Sequence, residues 1–273
     1  MSYPRTSKRL KEQSFIWHPL LVLALCVGMY SGKTTHAGFD EQTSVDNINT
    51  LLPPGRYLLK TKVVAEAVLP VIGRVDSTTR TLAWVDIRHR SGQVIGQQKV
   101  CQVSMGDERD LARTIFPDSL IQALPEKQIH FELSPAAIFP MRLHVDLGEE
   151  TMGYTAISPG APLPQSAQSA ELVDIDKDGK PGATLFLDLP GIGRYPLGIV
   201  SKGHTLLEGW LDAPGFASGN ATLLKFQQRV LFGLPVDGEV RDIKGVPERS
   251  SFELAPIAPE MDCAGLMASG LPS

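Results

Sequence analysis

From Gly55 onward the chain alternates apolar and polar residues with a period of two, the signature of strands with one buried and one wet face. In residues 57–66, Tyr57, Leu59, Val63 and Ala65 share one side, and Lys60, Lys62 and Glu66 the other. Residues 79–90 set Ala83, Val85 and Ile87 against Asp86 and Arg88, and Ser91-Gly92 turns the chain into a third strand over 93–105. The pattern breaks over 107–125, where 117–124 predicts one short helix. Residues 128–134 and 141–147 form the cleanest pair. Ile129, Phe131, Leu133, Met141, Leu143, Val145 and Leu147 point one way, and the join between the two runs is hairpin-sized. Further strands are predicted over 183–189, 193–201, 204–212, 220–234 and 250–254, and 265–273 reads as loose.

Consistent one-face alternation with little helix predicts an all-β fold. The expectation is an antiparallel β-barrel of lipocalin-like shape, or a sandwich, with about ten strands and at most one short helix. Residues 55–273 are of a size for a single domain. The stretch 158–169, rich in Pro, Ser, Ala and Gln, is the one place for an internal boundary.

Ahead of the strands, residues 1–37 have the layout of an export signal. Arg5, Lys8, Arg9 and Lys11 give a basic start, 15–30 is mostly apolar, and Thr35-His36-Ala37 offers small residues at −3 and −1 for cleavage. Lipidation at Cys26 is the second reading, since Leu23-Ala24-Leu25-Cys26 approaches a lipobox but puts Leu25 where a small residue is wanted. An uncleaved anchor is the third. Residues 38–54 read as a flexible lead-in. The expected location is therefore periplasmic, outer-envelope or secreted, with membrane contact only through the N-terminal segment if it is kept or lipidated.

Export changes the charge and cysteine balance. The chain carries 26 Lys+Arg against 30 Asp+Glu; removing the leader's five basic residues and one acid leaves 21 against 29, a net charge of −8. Phosphate contacts dominate nucleic-acid affinity, so so acidic a chain is not expected to bind nucleic acid. Cys101 and Cys263 are the cysteines left, and in an oxidising compartment a leftover pair is most simply one disulfide.

The one specific chemical motif is Asp174-Ile-Asp-Lys-Asp-Gly-Lys-Pro-Gly182. Carboxylates at loop positions 1, 3 and 5 (Asp174, Asp176, Asp178) converge, a glycine at 6 (Gly179) allows the sharp turn, and the carbonyl at 7 (Lys180) adds an oxygen. The pattern then leaves the EF-hand, for position 12 is Leu185 rather than Glu. Pro181 and Gly182 also do not suit an outgoing helix. The loop is closer to the calcium turns of dockerin-like, thrombospondin type 3 and integrin-type repeats, and the expected cofactor is Ca2+. The alternative is an acidic turn between two strands, with Gly179 at positive φ. Asp188 completes the ligand set only if the next strand folds back.

A second polar constellation is His130, Glu132, His144 and Asp146, which the strand pair puts on one face. It has the residue types of a metal or acid–base site, and equally of a solvated sheet face with cross-strand ion pairs. No G-x-S-x-G, H-E-x-x-H or Gly-rich phosphate loop is present. The whole stretch after the leader resembles a group of exported bacterial β-rich proteins, many of them lipoproteins. The resemblance lies in Gly55-Arg-Tyr57, Ser77-Thr-Thr79, Val100-Cys101, Ile115-Phe-Pro117, Ala123-Leu-Pro125, the aspartate loop, and Phe252-Glu-Leu254 leading to Cys263. It implies export, a β-rich fold and a calcium-type loop, and no reaction. The expected function is a calcium-stabilised binding or structural barrel of the envelope or exterior, with a small apolar ligand or an envelope partner. The alternatives are a secreted hydrolase without a recognisable motif, its carboxylate pair unspaced in sequence, and a surface adhesion protein with Trp84 or Trp210 as anchors.

Overall fold

The computed structural model describes residues 50–69, 73–108, 112–134, 140–158, 160–233 and 241–269. The expected leader with Cys26, and most of the lead-in, lie outside the described residues. The chain is all-β and antiparallel, twelve strands joined in one sheet. In order these are β1 (Gly55–Leu69), β2 (Gly73–Arg90), β3 (Gln93–Asp107), β4 (Arg113–Ile115), α1 (Asp118–Ala123), β5 (Lys127–Leu133), β6 (Met141–Met152) and β7 (Ala183–Leu189). There follow β8 (Gly193–Ala213), β9 (Phe216–Phe232), β10 (Arg241–Asp242), β11 (Lys244–Gly245), β12 (Ser251–Pro256) and α2 (Cys263–Ala268).

The pairings run full circle. β1 pairs β2, β2 pairs β3, β3 pairs β5, β5 pairs β6, β6 pairs β8, β8 pairs β9, β9 pairs β12, and β12 returns to β1. The same long strands then enter a second circuit. Further along, β3 pairs β4, β4 pairs β7, and β7 pairs β8. The 241–246 segment leans on β9 through β10 and on β1 through β11. Two circuits follow from strand length. β1, β2, β3, β8 and β9 have 15, 18, 15, 21 and 17 residues. At ~3.3 Å per residue they span about 50–70 Å, far more than one ring of side chains can line.

The first ring is filled. Tyr57, Leu59, Val85, Ile87, Val94, Ile129, Phe131, Leu143, Val145, Leu207, Leu211, Ala217, Phe252 and Leu254 form one buried cluster drawn from all eight strands. A Cβ on Gly96 would lie 2.6 Å from Val85 Cγ1 and 2.7 Å from the Phe131 ring, so its lack of a side chain is what lets those groups meet. Leu51 and Leu52 belong to the same cluster. They are held by Gly215 N–H donating to Leu51 O at 2.8 Å and by the His89 ring 2.8 Å from Leu52 O. The end of the expected flexible lead-in is thus a plug in the ring's mouth.

One helix stands where it was expected, and two further expectations change. The helix over 117–124 is α1, whose last carbonyls, Gln122 O and Leu124 O, accept from Lys99 Nζ at 3.0 and 2.5 Å. A second helix, α2, stands where the tail was read as loose; Asp262 caps it by accepting from Gly265 N–H at 2.8 Å. Its Leu266 packs with Leu58, Leu82 and Cys101 on the outer face of β1–β3. Cys101 and Cys263 form a disulfide there, Cα atoms 5.0 Å apart. Last, 193–201 and 204–212 are one strand, β8. Its centre is buried on both sides: Ile199 packs under β7, and Val200 under the 154–172 segment. That double cover removes the alternation that marks a strand with one wet face. The 158–169 stretch lies within that segment, where Lys202 Nζ donates to Ala161 O at 2.5 Å and Arg229 to Gln165 O at 2.6 Å.

Candidate metal centre

The aspartate loop hangs between the 153–155 segment and β7, and backbone bonds fix its two ends. Val173 N–H donates to Gly153 O at 3.1 Å, and Gly182 N–H to Val173 O at 3.2 Å. Between them Lys177 and Gly179 take positive φ, 56° and 85°. That agrees with the turn geometry read for Gly179. Gly182 also has positive φ, 93°, and a Cβ on it would lie 2.7 Å from Ile199 O of β8. The loop's exit is thereby pressed onto the barrel wall.

This brings the three aspartates together. One ligand oxygen from each of Asp174, Asp176 and Asp178 lies within 4.8 Å of the others, so the cluster could hold a metal ion. It is the one such group among the described residues. The three carboxylates are not equivalent. Asp174 turns inward on its own loop, accepting from Asp178 N–H at 3.1 Å and Gly179 N–H at 2.9 Å. Asp178 accepts from Lys180 N–H at 2.9 Å, from Thr184 Oγ1 at 2.8 Å and from Lys180 Nζ at 3.3 Å. Burial pushes the Asp178 carboxyl up, but the bonds from Thr184 and Lys180 outweigh it and hold it below the usual range. Asp176 is buried, 8% exposed. Its Oδ2 accepts from Thr184 N–H at 3.1 Å, while its Oδ1 is sealed from solvent with no donor. Burial pushes the Asp176 carboxyl up, and the charges of Asp178 and Asp174 push it further, against the Thr184 N–H.

A buried carboxylate oxygen without a partner is costly. In a residue whose carboxylate clusters with two others, such an oxygen is one that a cation would satisfy. The donor set is all oxygen and anionic, the set that hard cations take. Lys180 has a role the spacing did not suggest. Its ammonium pairs with Asp178 and lies 5.6 Å from the Phe232 ring centroid, so the loop carries its own competitor for a cation. Thr184 was also missed: it bonds both Asp176 and Asp178 from the second position of β7. Asp188 is placed away from the cluster, at the far end of β7 opposite Arg194 on β8 and Arg113 on β4.

The second constellation lands on one outer face, as the alternation required. His130 is opposite Asp146, and Glu132 opposite His144. β8 adds His204 and Glu208 to that face. His204 Nε2 lies 2.6 Å from Asp146 Oδ1, and His144 Nδ1 3.8 Å from Glu208. Burial pushes the Asp146 carboxyl up, but Gly148 N–H and His204 draw it below its ordinary value. His130 instead meets Gln128, 3.1 Å away. These are cross-strand pairs on a wet sheet, and the four residues do not gather as ligands around one point. Beside them Lys127 donates to Leu147 O at 3.0 Å and pairs with Glu150; burial pulls its ammonium down to about 8.

Comparison with family models, with curated proteins and with solved structures finds no match to this chain.

Proposed function

We propose that this protein is an exported β-barrel module, structural or partner-binding, whose aspartate loop takes Ca2+. One observation carries the reading: Asp176 is buried with an Oδ1 that no donor reaches, and one of its carboxylate oxygens lies within 4.8 Å of those of Asp174 and Asp178. Three carboxylates and a backbone carbonyl in one short loop suit the many-oxygen shell of calcium. Mg2+ keeps several waters and takes one or two carboxylates, and Zn2+ prefers nitrogen and sulfur. The resemblance to exported β-rich proteins with a D-x-D-x-D-G-x-P-G loop supports the same assignment. The Cys101–Cys263 disulfide supports an oxidising compartment. The filled first ring favours a structural or interaction role over an apolar-ligand carrier.

The experiment is thermal unfolding of residues 38–273, unreduced, in excess calcium and in EGTA. A ligand that binds only the folded state raises the melting temperature with its concentration. A calcium-dependent rise, absent with magnesium at equal ionic strength, is the expected result. An unchanged melting curve at millimolar calcium sinks the proposal.

A further inference from the structure

A groove of about 290 Å3 opens on the outer face of β1–β4, lined by Lys62, Thr78, Arg80, Ser104, Arg113 and the acids Asp107 and Glu108 among others. Lys62 and Arg80 stand directly opposite each other across the β1–β2 ladder. Like charges in that position are destabilising. Among the described residues neither makes a hydrogen bond or an ion pair. The groove's own acids are engaged elsewhere. Asp107 accepts from Ala112 N–H at 2.6 Å, and Glu108 pairs with Arg249, which also holds Asp76 at 2.6 Å. In a chain of net charge −4, two opposed cations with no carboxylate paired to either are not a by-product of general basicity.

We propose that this groove is an oxyanion site for a phosphate or sulfate monoester. The guanidinium of Arg80 offers a planar fork and Lys62 a point charge, the two ways proteins hold such groups. Ser104, opposite Arg80 in the β2–β3 register, and the buried Thr78 add hydroxyls. Arg113, opposite Gly106 on β3, closes the far wall. A dianion balances both uncommitted cations, whereas a carboxylate balances one. The volume leaves room for the group that carries the ester. This site is independent of the aspartate loop.

The test titrates the intact 38–273 chain in EGTA with inorganic phosphate, with inorganic sulfate, and with phosphatidylcholine vesicles containing phosphatidic acid. Chloride at matched ionic strength is the reference. Millimolar binding of an oxyanion arm is expected, and the arm that binds tells a free anion from a lipid headgroup. Arg80→Gln and Lys62→Gln each weaken it about tenfold or more, the size of one lost charged hydrogen bond, while Lys225→Gln on β9 leaves it unchanged. Arg80 is exposed, so its variant keeps the fold, which a far-UV spectrum checks. Failure of every arm, or binding that survives both groove variants, overturns the proposal.

Discussion

Asp176→Asn separates the cost of the loop from its use. Without a cation, wild type carries a buried carboxylate with one satisfied oxygen and one orphan, beside two more acids. Asparagine is nearly the same size. Its oxygen can keep the bond from Thr184 N–H, and its amide nitrogen then takes the place of the orphan Oδ1. The orphan acceptor becomes a pair of donors among carboxylates. An unsatisfied buried group costs about 1–3 kcal/mol, so in EGTA the variant should be the more stable by a similar amount. In saturating calcium the order reverses. A ligand at a hundred times its dissociation constant adds about 2.7 kcal/mol, or roughly 5–10 °C at ~2–4 °C per kcal/mol for a domain of this size. The variant loses the oxygen that a cation would satisfy, and with it most of that gain.

The pH dependence carries the same sign. Burial raises the folded Asp176 pKa above 3.8. The folded state then holds more protons than the unfolded one, and stability from this group is present at low pH and lost as pH rises through the raised value. In EGTA that loss should vanish in Asp176→Asn. The assay is differential scanning calorimetry of both proteins, with calcium and with EGTA. A variant that melts below wild type in EGTA, yet gains as much from calcium, refutes the reasoning: Asp176 would then be a structural acceptor and no ligand.

Three other outcomes follow from single contacts. Lys180→Met removes the ammonium that pairs with Asp178, and should tighten calcium binding by up to about fivefold, the worth of an exposed pair; calorimetric titration reads it, and unchanged affinity means the ammonium does not compete. Lys127, with a folded pKa of about 8 against 10.5, is a half-buried base whose charged form is disfavoured, so the unfolded state binds more protons between those values and stability should rise with pH across that window. Lys127→Met should therefore stabilise the protein at pH 7 by roughly 1–3 kcal/mol in urea unfolding, and a loss would show that the bonds to Leu147 O and Glu150 outweigh desolvation. Replacing both Cys101 and Cys263 with serine frees a 162-residue loop in the unfolded chain, about 5 kcal/mol in the chain-entropy model, with a larger urea m-value; a fall in melting temperature of under about 2 °C would contradict it.

Much of the fold is legible because one-sided burial writes itself as alternation. β5 and β6 show it plainly, with Ile129, Phe131, Leu143 and Val145 in the first ring and His130, Glu132, Arg142 and Asp146 outside. The pattern fails where both faces are covered. Leu58 and Leu82 sit on the outer face yet are buried, because α2 lies over them, and α2 itself has a single buried anchor, Leu266. β4, β10 and β11 have three, two and two residues, too few to show a period, yet they are what build the second circuit. At the site, spacing exposes the three aspartates, because convergence in a turn is local. The burial of Asp176, the Thr184 bridge and the ammonium of Lys180 depend on where β7 and Phe232 lie, and no spacing carries that.

The loop's position gives a cation something to act on. Its entrance is bonded to Gly153, and Tyr154 bridges Leu172 on the strap of residues 154–172. That strap covers Val200 and Leu231 and supplies the carbonyls that Lys202 and Arg229 donate to. Its exit is Gly182, pressed on Ile199 and followed at once by β7, which closes part of the second circuit. The strap, which has no long strand of its own, and β7, which is laddered to β8 and β4, meet in the aspartate loop. Three like charges drawn together there oppose that junction, and a divalent cation held by the same oxygens would remove that opposition. The first ring is filled by side chains alone, so on the proposed assignment a cation would act at this junction and not in the core.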